Sequence, residues 1–234
     1  VRTPSRVEHD IDVTIGTSPH DPVFLRWLGD ADFASETQHS IELGYRAQLG
    51  RRVSVDVAGF HNWHDKLLGL DPAGVTVEPD RLILLVQSAN ALQGRSVGGG
   101  ASVILQATSR WLVRAHYAYL DLELDRRPGS ESLTTGADEE GSSPRHQGGV
   151  STVLNVGSHV EIAASLRAVD DLPAQHVRAY AELDARVGWR VTPTLELALV
   201  GQNLLHARHL EFVGDAPTPS EIQRAVLATV RVRW

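Results

Sequence analysis

The chain has no cysteine and no methionine. Without cysteine, a disulfide scaffold, a thiolate zinc site and a cysteine nucleophile are excluded. The absence fits an oxidising compartment without requiring one. With no methionine even at position 1, Val1 is expected to be a processed end or the edge of a longer chain. The opening Val1 to Arg6 has no apolar core, so no secretory signal can be read there. The longest apolar run, Leu82 to Val86, is far short of the ~20 residues that a membrane helix needs. No stretch has convincing helical amphipathicity. Glycine (20) and proline (11) are ordinary, which excludes collagen-like and low-complexity classes. A net charge of −7 and a pI near 5.9 give no broad basic footprint for nucleic acid. A length of 234 residues suits one soluble domain or two small ones. It also leaves room for a membrane β-barrel, which hides its hydrophobicity in alternation.

Alternation is what the sequence contains. From Arg178 to Arg190, one face carries Arg178, Tyr180, Glu182, Asp184, Arg186 and Arg190; the other carries Ala179, Ala181, Leu183, Ala185, Val187 and Trp189. Only a period of two separates these sets. Ser158 to Ala168 repeats the pattern, with Val160, Ile162, Ala164 and Leu166 opposing His159, Glu161, Ser165 and Arg167. Ser40 to Leu49 opposes Ile41, Leu43, Tyr45 and Ala47 to Ser40, Glu42, Arg46 and Gln48. The last segment sets Val226, Ala228, Val230, Val232 and Trp234 against Thr229, Arg231 and Arg233. The pattern predicts an all-β fold of nine strands, at 38–49, 52–66, 81–107, 110–124, 144–155, 157–170, 177–190, 193–206 and 222–234, with a strand stub at 1–6 as a tenth.

The connections alternate in length. Short ones fall at 49–51, 108–109, 156 and 191–192; longer ones fall at 67–80, 125–143, 171–176 and 207–221. Short turns on one rim and long loops on the other is the arrangement of outer-membrane barrels, with short periplasmic turns and long extracellular loops. The parity depends on keeping Leu82 to Ala107 as one strand rather than breaking it at Gln93-Gly94-Arg95. At ~3.3 Å per residue that strand would project well beyond a bilayer. Trp111, Trp189 and Trp234 all fall at the short-turn rim on the apolar face, as an aromatic girdle would, since indole has an apolar body and a polar N–H. Packing inside a soluble barrel is the plainer reading of any one of them. Trp63, Tyr117 and Tyr119 are expected toward the opposite rim. Alternation alone does not say which face turns inward. The rim tryptophans and the apolar, Trp-ended final strand favour the inverted arrangement, with the charged face, including Glu42, Arg46, Asp56, Arg114, Glu161, Arg167, Glu182, Asp184, Arg186 and Arg231, lining a lumen.

Several segments together resemble a known family. Val1-Arg2-Thr3-Pro4-Ser5-Arg6, Phe33 to Glu36 with Glu42-Leu43-Gly44-Tyr45-Arg46, and Val55 to Asp65 are similar, in this order, to segments of TonB-dependent outer-membrane receptors. So are Asn90 to Gly100, Tyr117 to Asp121, Pro144 to Gln147, and Gly201-Gln202-Asn203-Leu204-Leu205. The chain departs from the pattern at Gly99 or Gly100, where the family has Glu, and at His206, where Asp is usual. The resemblance implies an antiparallel transmembrane barrel of about 22 strands enclosing a plug. Residues 1–234 would be its C-terminal part, the plug and the TonB-contacting box lying N-terminal in the family. It further implies energy-coupled uptake of a scarce ligand such as a ferric siderophore, cobalamin or some glycans, in the outer membrane of a Gram-negative bacterium. Implied partners are outer-membrane lipid, the TonB complex through the missing N-terminal part, and the barrel-assembly machinery. Val226, Ala228, Val230, Val232 and Trp234 would form the membrane-assembly signal. Glu182, Asp184 and Arg186 would contact the plug.

Other chemistry is thin. His61 and His64, three apart on a strand, point to opposite faces. His206 and His209 with Glu211 nearby could bind a metal or catechol complex; solvated loop histidines are the plainer reading. Loop 125–143, with Arg126, Arg127, Asp138, Glu139 and Glu140, is a selectivity element or simply a polar loop. Gly98-Gly99-Gly100 lacks the lysine and helix of a phosphate loop. No catalytic residue, cofactor or metal is assigned. Two other classes fit the length. One is a complete small outer-membrane barrel, porin-like or an enzyme, for which Asp121, His116 and Asp170 make a loose rim cluster. The other is a soluble ligand-binding barrel with an apolar interior.

Overall fold

A computed structural model describes residues 1–16, 22–213 and 220–234. Part of the predicted 207–221 loop, residues 214–219, lies outside the described residues. Strands dominate: β1 (Asp12–Gly16), β2 (Val23–Leu28), β3 (Thr37–Leu49), β4 (Val53–Glu78), β5 (Arg81–Thr108), β6 (Trp111–Arg126), β7 (His146–Val156), β8 (Val160–Val169), β9 (Tyr180–Arg190), β10 (Leu195–Gln202), the two-residue β11 (Arg208–His209) and β12 (Ile222–Gln223), and β13 (Ala225–Val232). Two short α-helices, α1 (Arg6–Asp10) and α2 (Ala137–Glu140), and one 3-10 turn at Pro173–Gln175 occur among the described residues. Eleven strands form one sheet. From β6 to β10 each strand pairs with its sequence neighbour in antiparallel register, and β13 closes onto β10. Among the described residues, β3 pairs only with β4 and β13 only with β10.

The predicted strands occur with boundaries shifted by a few residues, and β5 is one continuous strand of 28 residues. Three expectations fail. Residues 67–80 are not a loop: β4 runs on to Glu78 and turns at once into β5. Residues 1–6 hold no strand, only the single bridge Arg2–Glu36, and a helix follows. The ladder is not wholly antiparallel, because β2 runs parallel to the first third of β5.

The chain divides into two compact units. The first comprises residues 1–41, 61–97 and 122–140. Its apolar core is small: Phe33, Val86, Ala91, Leu92 and Leu124. Polar side chains tie the rest together. Ser5 caps α1, and the returning Glu8 carboxylate accepts from the Ser5 N–H at 2.6 Å, a reciprocal capping box. Arg2 joins Glu8 (2.8 Å) to Glu36 (2.6 Å), and Glu36 also accepts the Leu68 N–H. Asn90 accepts the Ala34 N–H (2.7 Å) and donates to the Ala34 and Lys66 carbonyls. The fully buried Ser132 both accepts from Leu70 N–H and donates to Leu70 C=O, so residues 130–134 supply a partner for β4 where the sequence alone suggested loop. Hydrogen bonding from Ser5, reinforced by Arg2 against the opposing effect of burial, holds the Glu8 carboxyl down at about 2. Burial pushes Glu36 up, but Arg2 and the Leu68 N–H outweigh it and its carboxyl lies below the ordinary range.

The second unit comprises residues 42–60, 98–121 and 141–234. It is the regular ladder. Its turns are tight: Gly50 and Gly157 adopt positive φ (66° and 63°), which glycine permits without a steric penalty. Between β9 and β10 the Thr192 hydroxyl accepts the amides of Thr194 and Leu195. Gly98 has no room for a side chain, since a Cβ there would lie 2.5 Å from the Phe60 ring and 2.7 Å from the Tyr119 carbonyl. The glycine run is therefore a packing device. Buried apolar side chains are again few: Leu172, Val177 and Ala198.

Candidate functional site: the charged face of the ladder

Strand register decides which side chains meet. Arg167 lies opposite Glu182, Ser165 opposite Asp184, Ala163 opposite Arg186, and Val200 opposite Arg186 on the next strand. Glu161, Arg167, Glu182, Asp184 and Arg186 therefore share one face. On it, Arg186 bridges Glu161 (2.7 Å) and Glu196 (2.5 Å), a guanidinium held by carboxylates from both neighbouring strands. Arg167 reaches Glu211 (2.5 Å), the Asn203 side-chain carbonyl (2.9 Å) and Asp184 (3.6 Å). An open recess of about 270 Å³ on this face is lined by Arg114, Ser165, Asp184 and Arg186 among others. On β3, Arg46 pairs with Asp56 of β4 at 2.5 Å, and Glu42, four residues earlier, lies on the same side of its strand.

The other face is apolar and open. Val187 lies opposite Ile162 and Leu199, and Leu197 opposite Trp189 and Val230. These side chains do not converge on a dry centre: Leu199 is 57% exposed and Val230 67%. Val226 and Val232 are likewise exposed. Trp111 starts β6, Trp189 lies one residue before the end of β9, and Trp234 is two residues past β13. All three stand at the short-turn end of the ladder and are exposed. The Trp111 indole N–H donates to the Thr152 hydroxyl at 2.8 Å.

Glu182 departs from expectation. It is fully buried and lines no open space. The chain after β10 folds over it. Asn203 takes a left-handed conformation (φ 53°), its N–H donating to Asp184 at 2.8 Å. The next two amides donate to the Leu183 carbonyl and to Glu182. His206 Nδ1 then meets Glu182 at 2.7 Å, and His209 lies between Glu182 (3.2 Å) and Glu211 (2.9 Å), against the Tyr180 ring. His206, His209 and Glu211 are thus brought together, but each is already engaged by charge or hydrogen bonding. Among the described residues no group of three or more His, Asp or Glu has metal-binding geometry. The cluster is a latch that pins residues 203–211 to β9. Sequence reasoning missed the role of Asn203, although an Asn directly after a strand is a signal for a left-handed residue that ends it.

The remaining candidates separate. His61 stacks on Trp63 (4.1 Å between ring centres), whereas His64 meets Ser96 on the other side of β4. Asp121 is engaged by Arg145 (3.4 Å), and Asp170 accepts the Asp171 N–H. In the 125–143 segment, Arg127 pairs with Asp65 (2.9 Å) and Glu140 accepts the Leu124 N–H (2.5 Å). That segment is tied down rather than free.

Comparison with known proteins gives the geometry a context. The family described as TonB dependent receptor-like, beta-barrel matches residues 10–204. None of the curated proteins matches the chain's sequence. Among solved structures, the FrpB iron transporter from Neisseria meningitidis is 14% identical and aligns with a TM-score of 0.65, covering 89% of this chain and 32% of that one. The ferric-catecholate import receptor Fiu from E. coli K12 is 19% identical, with a TM-score of 0.63 and coverage of 86% and 28%. The siderophore receptor PirA from Acinetobacter baumannii is 13% identical, with a TM-score of 0.63 and coverage of 89% and 33%. The chain thus spans about a third of the length of these structures.

Proposed function

Because the chain belongs to the TonB-dependent receptor β-barrel family, we propose that it forms the C-terminal part of an outer-membrane receptor that takes up a scarce ligand of the ferric-siderophore class with energy supplied through TonB. Family members are outer-membrane proteins of Gram-negative bacteria and transport receptors rather than enzymes. The observation that carries the reading is the exposed apolar face on strands of membrane-crossing length. β7, β8 and β9 have 11, 10 and 11 residues, and a transmembrane strand needs about 9–11. In hydrocarbon, every backbone N–H and C=O must be satisfied within the protein, which the ladder does for β7, β8, β9 and β10, each paired on both sides.

Mechanism follows from the two faces. Val187, Leu199 and Val230 meet acyl chains, and Trp111, Trp189 and Trp234 sit at the periplasmic interface as a girdle. Arg186 with Glu161 and Glu196, and Arg167 with Asp184, present fixed, mostly neutralised charge to the lumen. Such a surface lets a plug or a hydrated ligand pass over it without exposing bare charge. Glu42 and Arg46 contribute to the same lining. Glu182 acts differently, by holding the 203–211 segment in place at the long-loop end. The single-partner edges of β3 and β13 are where the other strands of the barrel pair. The terminal Val226, Ala228, Val230, Val232 and Trp234 form the signal for barrel assembly.

The reading is tested by deleting the gene that encodes the chain and measuring uptake of radio-iron from a panel of ferric siderophores. Uptake of at least one is expected to fall to the level of a TonB-deficient strain. Unchanged uptake of the whole panel, with the protein released from cells without detergent, would overturn it.

A further inference from the structure

The exposed apolar face of the second unit has a notch. Tyr117 lies opposite Gly148, Gly148 opposite Ala168, and Ala168 opposite Ala181, so one cross-strand row over β6 to β9 carries three small residues beside a tyrosine. The row on its short-turn side is Ala115, Val150, Leu166 and Leu183, bulky at three of four positions. The row on its long-loop side begins with Tyr119 opposite His146 and continues to Asp170, whose N–H donates to the His146 carbonyl. The small residues floor an open recess of about 580 Å³, whose lining also includes Asp170, Ala179 and His206. That volume lies within the range of small-ligand sites, roughly 300–1,000 Å³.

Its depth says what kind of molecule meets it. From Trp189 at the short-turn rim to Ala181 is eight residues along β9, about 26 Å at ~3.3 Å per residue, which at the usual strand tilt of about 40° is roughly 20 Å of depth. The apolar band of an outer-membrane barrel is about 25 Å tall. The floor therefore lies within the outer part of the hydrocarbon, and the Tyr119–His146–Asp170 row, two residues further along each strand, lies at its margin. The Tyr117 hydroxyl and His146 Nδ1, 2.6 Å apart, mark the change from apolar to polar. The recess is continuous with the exposed Val150, Leu166 and Val187. At that depth water does not fill an apolar hollow, and an unfilled one forfeits its dispersion contacts. Flexible methylenes fill it at little cost, whereas a folded partner would need a ridge shaped to match.

We propose that this recess seats one acyl chain of an outer-leaflet lipid, with the hydroxyl and amide groups of its head group, rather than its phosphates, against Tyr119, His146 and Asp170. The proposal rests on the membrane reading above. Lipid held there would fix the outer ends of β7 to β9 beside the Glu182 latch.

The test fills the floor. Gly148 is left alone, because a Cβ there would come within 2.9 Å of the His116 carbonyl. Ala168→Phe and, on a different strand, Ala181→Leu add apolar volume to a lipid-facing position. Ala164→Leu, two rows away on the same face, is the control. The full receptor chain carrying each change is purified in detergent from outer membranes and examined by native mass spectrometry for retained lipid A, the probe. Heat-modifiable mobility on gels reports barrel folding. The wild type and Ala164→Leu are expected to keep one lipid A per chain, and both filled variants to lose it while remaining folded. Equal retention in all four, or no retained lipid A in the wild type, would overturn the proposal. So would a wild type that purifies as a dimer through this face. If Ala168→Phe fails to fold, Ala181→Leu decides. Loss of the membrane reading would show separately, as chain extracted without detergent.

Discussion

The two faces of β8 and β9 are built from the same backbone and alternate residue by residue, yet they are stabilised in opposite ways. On one, Arg186, Glu161 and Glu196 satisfy one another at 2.5–2.7 Å. On the other, Ile162, Val187 and Leu199 stand in register with large fractions of their surface bare. In water this would be an inverted protein, with its apolar groups left outside and its charges gathered together. The inversion is reasonable only if the bare side has an apolar solvent of its own. What the difference teaches is that exposure, rather than composition, distinguishes a membrane ladder from a soluble one: both alternate, but only one leaves the apolar set uncovered.

The largest expected effect breaks this comparison directly. Val230→Arg puts a charge on the bare face in mid-strand, and should cost about 2–4 kcal/mol of folding stability at the bilayer midplane. Its neighbour Thr229→Arg, on the charged face, should be tolerated. Denaturant titration of the barrel in lipid vesicles measures both, and equal damage would erase the distinction between faces. A smaller effect sharpens the charged side. Arg186→Ala leaves Glu161 and Glu196 without their shared partner, and should cost roughly 1.5–3 kcal/mol, the worth of charge-assisted hydrogen bonds. Leu199→Ala, next door on the bare face, should cost less, because lipid fills the gap. The smallest concerns α1, outside both faces. Glu8 is held at about 2 against an ordinary 4.5, so its contribution is present above 4.5 and lost as pH falls from there through about 2. Pepsin cleavage within residues 1–11, taken relative to an unfolded peptide cut in the same tube, should rise as pH falls through that window while the ladder stays resistant. For Glu8→Gln the same ratio should not change with pH.

How much of this was legible depended on where the stabilising partner lay. Alternation placed β6 to β10 and β13, because each pairs with a near neighbour and its pattern states its own face, whereas the two-residue β11 falls where a loop was expected. The fate of residues 67–80 could not be read that way. Asp71, Pro72 and Gly74 have loop composition, and the strand persists because Ser132, some sixty residues away, bonds to Leu70. β1 and β2 were missed for the same reason, since β2 is held by a parallel partner distant in sequence. The α1 cap was legible and overlooked: Ser5-Arg6-Val7-Glu8 is a capping-box spacing. At the site, register predicted which charges share a face. It did not predict that the chain after Asn203 would bury Glu182, because that turn depends on one left-handed residue and on three amides finding acceptors on β9.

The central claim is the orientation of the two faces, and the absence of cysteine from these 234 residues lets single introduced cysteines report it, with the unsubstituted receptor as the labelling background. Single cysteines at Val187 and Ser165, in the receptor inserted in outer membranes, are exposed first to a water-soluble maleimide and then to a lipid-soluble one. The account predicts that Val187→Cys reacts only with the lipid-soluble reagent, and that Ser165→Cys reacts with the aqueous one. The reverse pattern would contradict it.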